Sequence, residues 1–345
     1  MDSFDSLSRY LRQWAGRDGD RQAVGETVEA IAGAAVEVAE LIGQGPLAGA
    51  LATVVGENAD GDAQKALDVR ANDLFLDTMR GTPVAIFASE EGEAALTLND
   101  GGSLAVAIDP LDGSSNIDTN VSVGTIFSVL PMAGRRSETA VLQPGTNQLA
   151  AGMLVYGPQT TLALTLGQGT ALFTLDRRHG RFHLTRPDVE IPAARREYAI
   201  NASNYRYWDE AMRSYIDDCV SGTEGPRGAD FNMRWIASLV AEASRIFARG
   251  GIFLYPRDSR PGYQHGRLRL VYEANPIAFL VEQAGGAATD GERRILDIQP
   301  SALHQRIPFV FGSSDKVERV VRYHADPHTI GERSPLFANR GLFRS

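Results

Sequence analysis

The segment Leu104-Ala105-Val106-Ala107-Ile108-Asp109-Pro110-Leu111-Asp112-Gly113-Ser114-Ser115-Asn116 joins five apolar residues, a strand's length, to two aspartates three positions apart, a glycine and two serines. Hard carboxylate oxygens at a strand end suit a divalent cation such as Mg²⁺. Gly113 lets the backbone approach an anion, and the N–H groups of Gly113, Ser114 and Ser115 can donate to phosphoryl oxygens. Taken alone, Asp-x-x-Asp-Gly is an ordinary turn. Its company changes the reading: the apolar run Val84 to Ala88 leads into Glu90-Glu91, and Asp62 and Asp68 open the stretch before it. Acidic clusters at the ends of several elements are what a two-metal phosphoryl-transfer site requires.

Outward from this segment, Gly25 to Gly43 carries Val28, Ile31, Ala32, Ala35, Val38, Ala39 and Ile42 at helical spacing, with Gly43 as a left-handed stop. Asp62 to Arg80 reads as a second helix with Leu67, Ala71, Leu74, Phe75 and Met79 on its apolar side, and Asp68 and Asn72 lie one turn apart on it. Thr125 to Leu130 is a third strand. Met233 to Ala248 reads as a helix, Ile252 to Tyr255 and Leu268 to Tyr272 as strands, and Asn275-Pro276 starts a helix ending at Gly285-Gly286. Such alternation predicts a layered α/β protein. The charged, proline-punctuated stretch Arg177 to Arg196 reads as a soft joint between two halves, and Arg257 to Gly266 and the tail from His324 as irregular.

Composition narrows the function classes. A net charge of -9 argues against general nucleic-acid affinity, which needs clustered Lys and Arg. No window approaches the roughly 18 apolar residues of a membrane-spanning helix. The single cysteine, Cys219, cannot form a disulfide within the chain, and residues 1–9 do not resemble a signal peptide, so a reducing cytoplasm is expected. Tyr215, Asp217 and Asp218 beside Cys219 would raise its thiol pKa, which disfavours a cysteine nucleophile. None of the six histidines has metal-ligand spacing.

Several segments together resemble class I fructose-1,6-bisphosphatases of the bacterial type. They are Gly61-Asp62 through Asn72-Asp73, Ser89-Glu90-Glu91, Asp109 to Asp118, Val121 to Phe127, Gly250 to Pro256, and Leu268 to Pro276. The likeness runs in the family's order from about Ser6 to Asp315. It implies an α/β fold, a layered α-β-α-β-α sandwich of two domains (the sugar phosphatase fold). Residues 1–190 would carry the metal-binding loops, and 191–345 would bind substrate.

The same resemblance implies roles for individual residues. Glu90, Asp109, the Leu111 carbonyl, Asp112 and Glu273 match the Mg²⁺ ligands (two or three ions per subunit, with Mn²⁺ as a substitute), and Asp62 matches a supporting acid. Asp68 and Glu91 match the positions where the attacking water is activated, and either can accept its proton. Asp112, Gly113, Ser114, Ser115, Asn201, Tyr255 and Arg267 match substrate contacts. Arg234 matches an arginine that reaches the remote phosphate from an adjacent subunit, which implies a homotetramer.

Departures from the family are local. Arg267 stands where lysine is frequent, keeping the charge and adding planar recognition, and Trp235 stands where tyrosine is frequent. Spacing around Asn201 to Tyr205 favours Asn201 over Tyr205 as the contact. AMP-inhibited members have a Lys-Tyr pair and an arginine where this chain has Ser103-Leu104 and Leu130-Pro131, so AMP inhibition is expected to be weak or absent; the helix-start loop Val24-Gly25-Glu26-Thr27 is kept in outline. The inserted cysteine loop of redox-regulated plastid members is missing.

The expected reaction is hydrolysis of the 1-phosphate of D-fructose 1,6-bisphosphate, shared by gluconeogenesis and carbon fixation. Alternatives are sedoheptulose-1,7-bisphosphatase activity, an inositol-monophosphatase-like activity, against which the extended second half argues, and an inactive sugar-phosphate sensor. A sensor generally loses a metal ligand, because unpaired carboxylates are costly to keep together without cations.

Overall fold

The computed structural model describes residues 5–57 and 63–325; Asp62 and the tail beyond residue 325 lie outside the described residues. The first helices are α1 (Leu7–Ala15) and α2 (Gly19–Gln44). Asp18 starts α2 by accepting the N–H groups of Asp20 and Arg21 at 3.0 and 3.1 Å, so the helix begins before the expected Gly25. It also runs through Gly43 and stops at Gly45, whose φ is 54°. Val24 to Thr27 are therefore helical rather than a helix-start loop, and the Thr27 hydroxyl donates to the Ala23 carbonyl at 2.9 Å.

The next helix, α3 (Ala66–Met79), starts four residues later than Asp62. The residues before it are taken by pairing: β1 (Val54–Glu57) and β2 (Ala63–Lys65) form an antiparallel hairpin. Leu67, Ala71, Phe75 and Met79 are fully buried, and Leu74 is half-buried.

A large sheet follows. Its strands are β3 (Val84–Ser89), β4 (Leu96–Thr97), β5 (Leu104–Asp112), β6 (Val123–Pro131), β7 (Ala150–Tyr156), β8 (Thr160–Thr165), β9 (Thr170–Asp176) and β10 (Arg181–Arg186), in the order β10-β9-β8-β7-β6-β5-β3-β4. Strands β3 and β5 run parallel, and β5 to β10 form an antiparallel meander. The expected soft joint thus contains an edge strand, β10. Beyond it Val189 and Ile191 are buried, and the Ile191 N–H donates to the Ala284 carbonyl at 2.8 Å.

A second sheet contains β11 (Glu197–Ala199), β12 (Asn232–Met233), β13 (Ile252–Tyr255), β15 (Ala287–Thr289) and β17 (Phe309–Gly312), in the order β12-β11-β13-β17-β15. Strands β14 (Leu268–Arg269) and β16 (Arg306–Ile307) form a separate pair. The remaining helices are α4 (Glu210–Val220), α5 (Leu239–Arg249), α6 (Asn275–Gln283) and α7 (Ser314–Ala325).

Two sequence expectations change here. Met233 belongs to β12 and Arg234 donates its N–H to Tyr198 at 2.8 Å, so sheet pairing removes the first residues of the expected helix, which starts at Leu239 after Ser238 as its cap. The expected strand Leu268 to Tyr272 ends at Arg269, and Leu270–Ala274 form a π-helical turn leading into α6.

Burial organises these elements into an α-β-α-β-α sandwich. Val28, Ile31, Leu67 and Phe75 of α2 and α3 pack on Phe87, Val106, Phe127 and Leu154 of the large sheet. Helices α5 and α6 fill the middle layer, with Val240, Ile246, Ile277 and Leu280 between Ile126 and Met153 on one side and Phe253, Phe309 and Phe311 on the other. Met212, Tyr215 and Ile216 of α4, with Val317 and Val320 of α7, cover the outer side of the second sheet. Each such side chain contributes about 1.5–3 kcal/mol on burial, so separating the layers would be prohibitive.

Candidate active site

In a regular strand, residues three apart face opposite sides of the sheet. Strand β5 breaks this rule between its two aspartates. Asp109 pairs with Ile126 and Asp112 with Gly124, so three steps on β5 match two on β6, a bulge of one residue. Pro110 has no N–H for the ladder, and its carbonyl accepts the Thr125 hydroxyl at 2.8 Å. The bulge brings both carboxylates to one side. The Leu111 N–H, inside the bulge, donates to Asp109 Oδ1 at 3.0 Å.

The first residues of α5 press onto this site. The Val240 N–H donates to Asp112 Oδ2 at 3.1 Å. Gly124 makes room for that approach: a Cβ there would lie 2.2 Å from the Leu154 carbonyl oxygen and 2.7 Å from a Val240 methyl. Gly113 has φ 77° and starts the single helical turn Ser114–Asn116, in which Ser114 is half-buried and Ser115 exposed. The N–H groups of Ser114 and Ser115 thus stand in a first turn, where helix geometry supplies no acceptor.

Glu90 follows β3, and its N–H donates to the Ile108 carbonyl at 3.0 Å, which sets it beside Asp109 at the carboxyl ends of two parallel strands. Such strand ends are where open α/β sheets place their sites. Glu273 arrives from the π-helical turn, a local form common at functional sites. One carboxylate oxygen from each of Asp109, Asp112 and Glu273 lies within 4.8 Å of the others, and all three residues are buried. The structure turns Glu90 toward Arg269, whose Nη1 lies 2.9 Å from Glu90 Oε1, while the Arg269 N–H donates to the Glu273 carboxylate.

Asp68 and Glu91 flank this group. Asp68, in the first turn of α3, accepts the Lys65 N–H at 2.6 Å; its other oxygen is buried with no partner among the described residues. Glu91 accepts the Gln64 side-chain amide at 2.6 Å.

Burial is the main cause of the raised carboxyl pKa values throughout the site. It pushes Asp68 up to about 6 and Glu91 up to about 7, and neighbouring Glu90 adds to both. Asp112 rises to about 7, with the Val240 N–H opposing. Asp109 and Glu273 stand well above the usual carboxylate range through burial, then the charge of Glu90. Acids this crowded call for positive charge beyond Arg269. The donors are carboxylate oxygens with no thiol or imidazole among them, so the set fits a hard divalent cation.

A second group lies along the other sheet. Ala199, the last residue of β11, pairs with Phe253 of β13; two residues further along the chain from each, Asn201 just past β11 and Tyr255 at the end of β13 line one small hollow. The Asn201 side chain accepts the Ser203 N–H at 3.2 Å and its hydroxyl at 2.6 Å. The Tyr205 hydroxyl instead donates to Asp217 at 2.8 Å. Trp235 stacks on Phe253, with ring centroids 6.0 Å apart, and lies 6.5 Å from the Tyr255 ring. Arg267 lies over the Tyr263 ring. Arg234 is exposed beside the edge strand β12.

Sequence reasoning missed Arg269, Gln64, Lys65 and the Val240 N–H. Arg269 carried one weak signal, its place four residues before Glu273. Cys219 is in the outer layer, away from the acid group, and burial pushes its thiol up to about 11.

Comparison with known proteins is consistent along the whole chain. Residues 16–187 match the family model described as Fructose-1-6-bisphosphatase, N-terminal domain, and residues 191–325 the corresponding C-terminal domain. The Fructose-1,6-bisphosphatase class 1 of Sinorhizobium medicae is 58% identical over 330 residues, covering 93% of each chain. That of Rhizobium meliloti is 56% identical over 345 residues, covering 99% of each. The crystal structure of Leishmania major fructose-1,6-bisphosphatase in holo form superposes with a TM-score of 0.87 at 35% identity, covering 94% of this chain and 100% of that one.

Proposed function

Because the chain belongs to the fructose-1,6-bisphosphatase family, we propose that fructose 1,6-bisphosphate loses its 1-phosphate at the acid cluster formed by Asp109, Asp112 and Glu273. The chain is a fructose-bisphosphatase, a phosphoric monoester hydrolase, and forms D-fructose 6-phosphate and phosphate. The seven-carbon bisphosphate, inositol-phosphate and inactive-sensor alternatives are not favoured.

The observation that carries the site assignment is the convergence of those three buried carboxylates from two segments 161 to 164 positions apart in the chain. Glu90, Asp109, the Leu111 carbonyl, Asp112 and Glu273, supported by Asp62, would hold Mg²⁺, two or three ions per subunit, with Mn²⁺ as a substitute. A divalent cation supplies Lewis-acid polarisation of a phosphoryl oxygen and a more acidic water. The chain's own groups do the rest. Asp68 or Glu91 takes the proton of the attacking water, since each has a carboxylate at the edge of the cluster. The N–H groups of Gly113, Ser114 and Ser115, with Asp112, orient the reacting phosphate. Asn201, Tyr255 and Arg267 hold the remote end of the sugar, which fixes the scissile bond by binding what does not react.

Residues 1–190 form the domain that carries the metal-binding loops and 191–345 the substrate domain, which also contributes Glu273 to the acid cluster. The exposed position of Arg234 at a sheet edge is what a contact into a neighbour's site needs, and supports a homotetramer. Among the described residues no helix is long and apolar enough to cross a membrane, and the lone cysteine suits the cytoplasm.

Phosphate release from fructose 1,6-bisphosphate and sedoheptulose 1,7-bisphosphate, each with and without Mg²⁺, tests this reading. Turnover is expected only with the cation, at higher kcat/KM on the six-carbon substrate. Equal turnover after chelation would remove the metal assignment.

A further inference from the structure

The irregular loop between β13 and β14 contributes to an alternating ladder of cations and rings. The Arg206 guanidinium lies 4.7 Å from the Tyr207 ring centroid. Arg260 lies 4.9 Å from Tyr207 and 4.0 Å from Tyr263. Arg267 lies 4.9 Å from Tyr263. At the centre, Asp258 grips Arg260: Nε donates to both carboxylate oxygens at 3.1 Å and Nη2 to Oδ2 at 2.5 Å.

The loop backbone holds this ladder in place. The Tyr263 N–H donates to Arg260 and the Gly266 N–H to Tyr263, both at 3.0 Å, and the Ser259 N–H reaches the Tyr207 carbonyl at 3.0 Å. That last bond ties the loop to the turn that begins at Asn201. Gly266, at φ 83°, closes so tightly that a Cβ would lie 2.2 Å from the Ile307 carbonyl. Tyr255 borders the ladder: burial raises its phenol pKa, and Arg267, Tyr263, Arg260 and Asp258 are the charged or titratable groups acting on it, Arg267 most strongly.

We propose that Tyr263 is a positioning residue for the substrate's remote phosphate: backed by Arg260 and Tyr207, it holds Arg267 so that the guanidinium meets the phosphate that is not hydrolysed. This rests on the function proposed above. It also explains why position 267 carries arginine. A guanidinium over a ring still directs N–H groups outward in its own plane, where two phosphate oxygens can accept them, whereas a lysine ammonium offers no such plane.

The test is steady-state kinetics with Mg²⁺ on fructose 1,6-bisphosphate and on fructose 1-phosphate, which lacks the remote phosphate. Tyr263→Leu is expected to raise KM for the bisphosphate about three- to tenfold, the size of one cation–ring contact, with kcat within about twofold. Its kcat/KM on the monophosphate stays at the wild-type value, and Tyr263→Phe restores the wild-type KM. In an Arg267→Ala background, Tyr263→Leu adds no further change. Should circular dichroism show Tyr263→Leu misfolded, Arg260→Gln is expected to raise the same KM by a smaller factor. Equal losses on both substrates, an unchanged KM in both variants, or full additivity with Arg267→Ala would overturn the inference. Wild-type protein inert toward fructose 1,6-bisphosphate would instead sink the underlying function.

Discussion

The guanidinium of Arg269 lies 2.9 Å from the Glu90 carboxylate, with only 10% and 11% of the two side chains exposed. The same residue donates its N–H to Glu273, so one arginine neutralises one acid of the cluster and orients another. Removing one partner of a buried pair leaves an uncompensated charge. Arg269→Met is expected to lower stability by about 3–5 kcal/mol in cation-free urea denaturation. Added Mg²⁺ should recover part of that loss, because a ligand bound only by the folded state stabilises it. An unchanged urea midpoint without cation would contradict this.

Asp109 is buried against the charges of Glu90, Asp112 and Glu273. Asparagine has nearly the same shape and retains an acceptor for the Leu111 N–H. Asp109→Asn should therefore raise the cation-free Tm by about 2–4 °C for each kcal/mol of repulsion relieved. Activity should fall more than about a hundredfold, since even the outer partners of metal ligands are worth 10–100-fold. Thermal scans with and without Mg²⁺ would show a smaller cation-induced shift than in wild type; a full-sized shift would argue against Asp109 as a ligand.

His324 Nδ1 donates to the Val320 carbonyl at 2.9 Å, and Nε2 lies 3.5 Å from Asp209, the residue that caps α4. Burial and Arg257 act to lower the imidazole pKa, but Asp209 and the Val320 carbonyl outweigh them and hold it above 6.5. A raised folded-state pKa means the imidazolium contribution is complete below 6.5 and is lost as pH rises through the folded value. Burial raises the Asp209 pKa, but His324 and the Met212 N–H bring it below 3.8, so its contribution exists above 3.8 and fades as pH falls through the folded value. His324→Gln should cost on the order of 1–3 °C in Tm near pH 6 and much less near pH 9. Equal losses at both pH values would rule out this linkage.

AMP is expected to inhibit weakly or not at all. Ser103-Leu104 and Leu130-Pro131 sit together at one end of the sheet, where Leu104 pairs with Pro131 and Ala105 with Leu130. Neither strand presents a cation there, and Thr27 is bonded within its own helix. Half-inhibition at micromolar AMP in a steady-state assay would refute this.

The elements that were legible rest on short-range physics. Apolar residues at 3.6-residue spacing revealed the face of α2, and apolar runs meeting Glu90 and Asp109 revealed β3 and β5, because such patterns report burial directly. Element ends were misread wherever a distant partner intervened: β1 claims the residues before α3, and Tyr198 claims Arg234. By itself the sequence determined which chemistry was available: hard-oxygen donors beside a glycine-serine turn, in segments whose order matches one family. Only the tertiary structure decided which donors meet. The β5 bulge puts Asp109 and Asp112 on one side, the π-helical turn brings in Glu273, and Arg269 draws Glu90 toward itself. Strand register and ion-pair choice arise from contacts between residues far apart in the chain, and no local pattern encodes them.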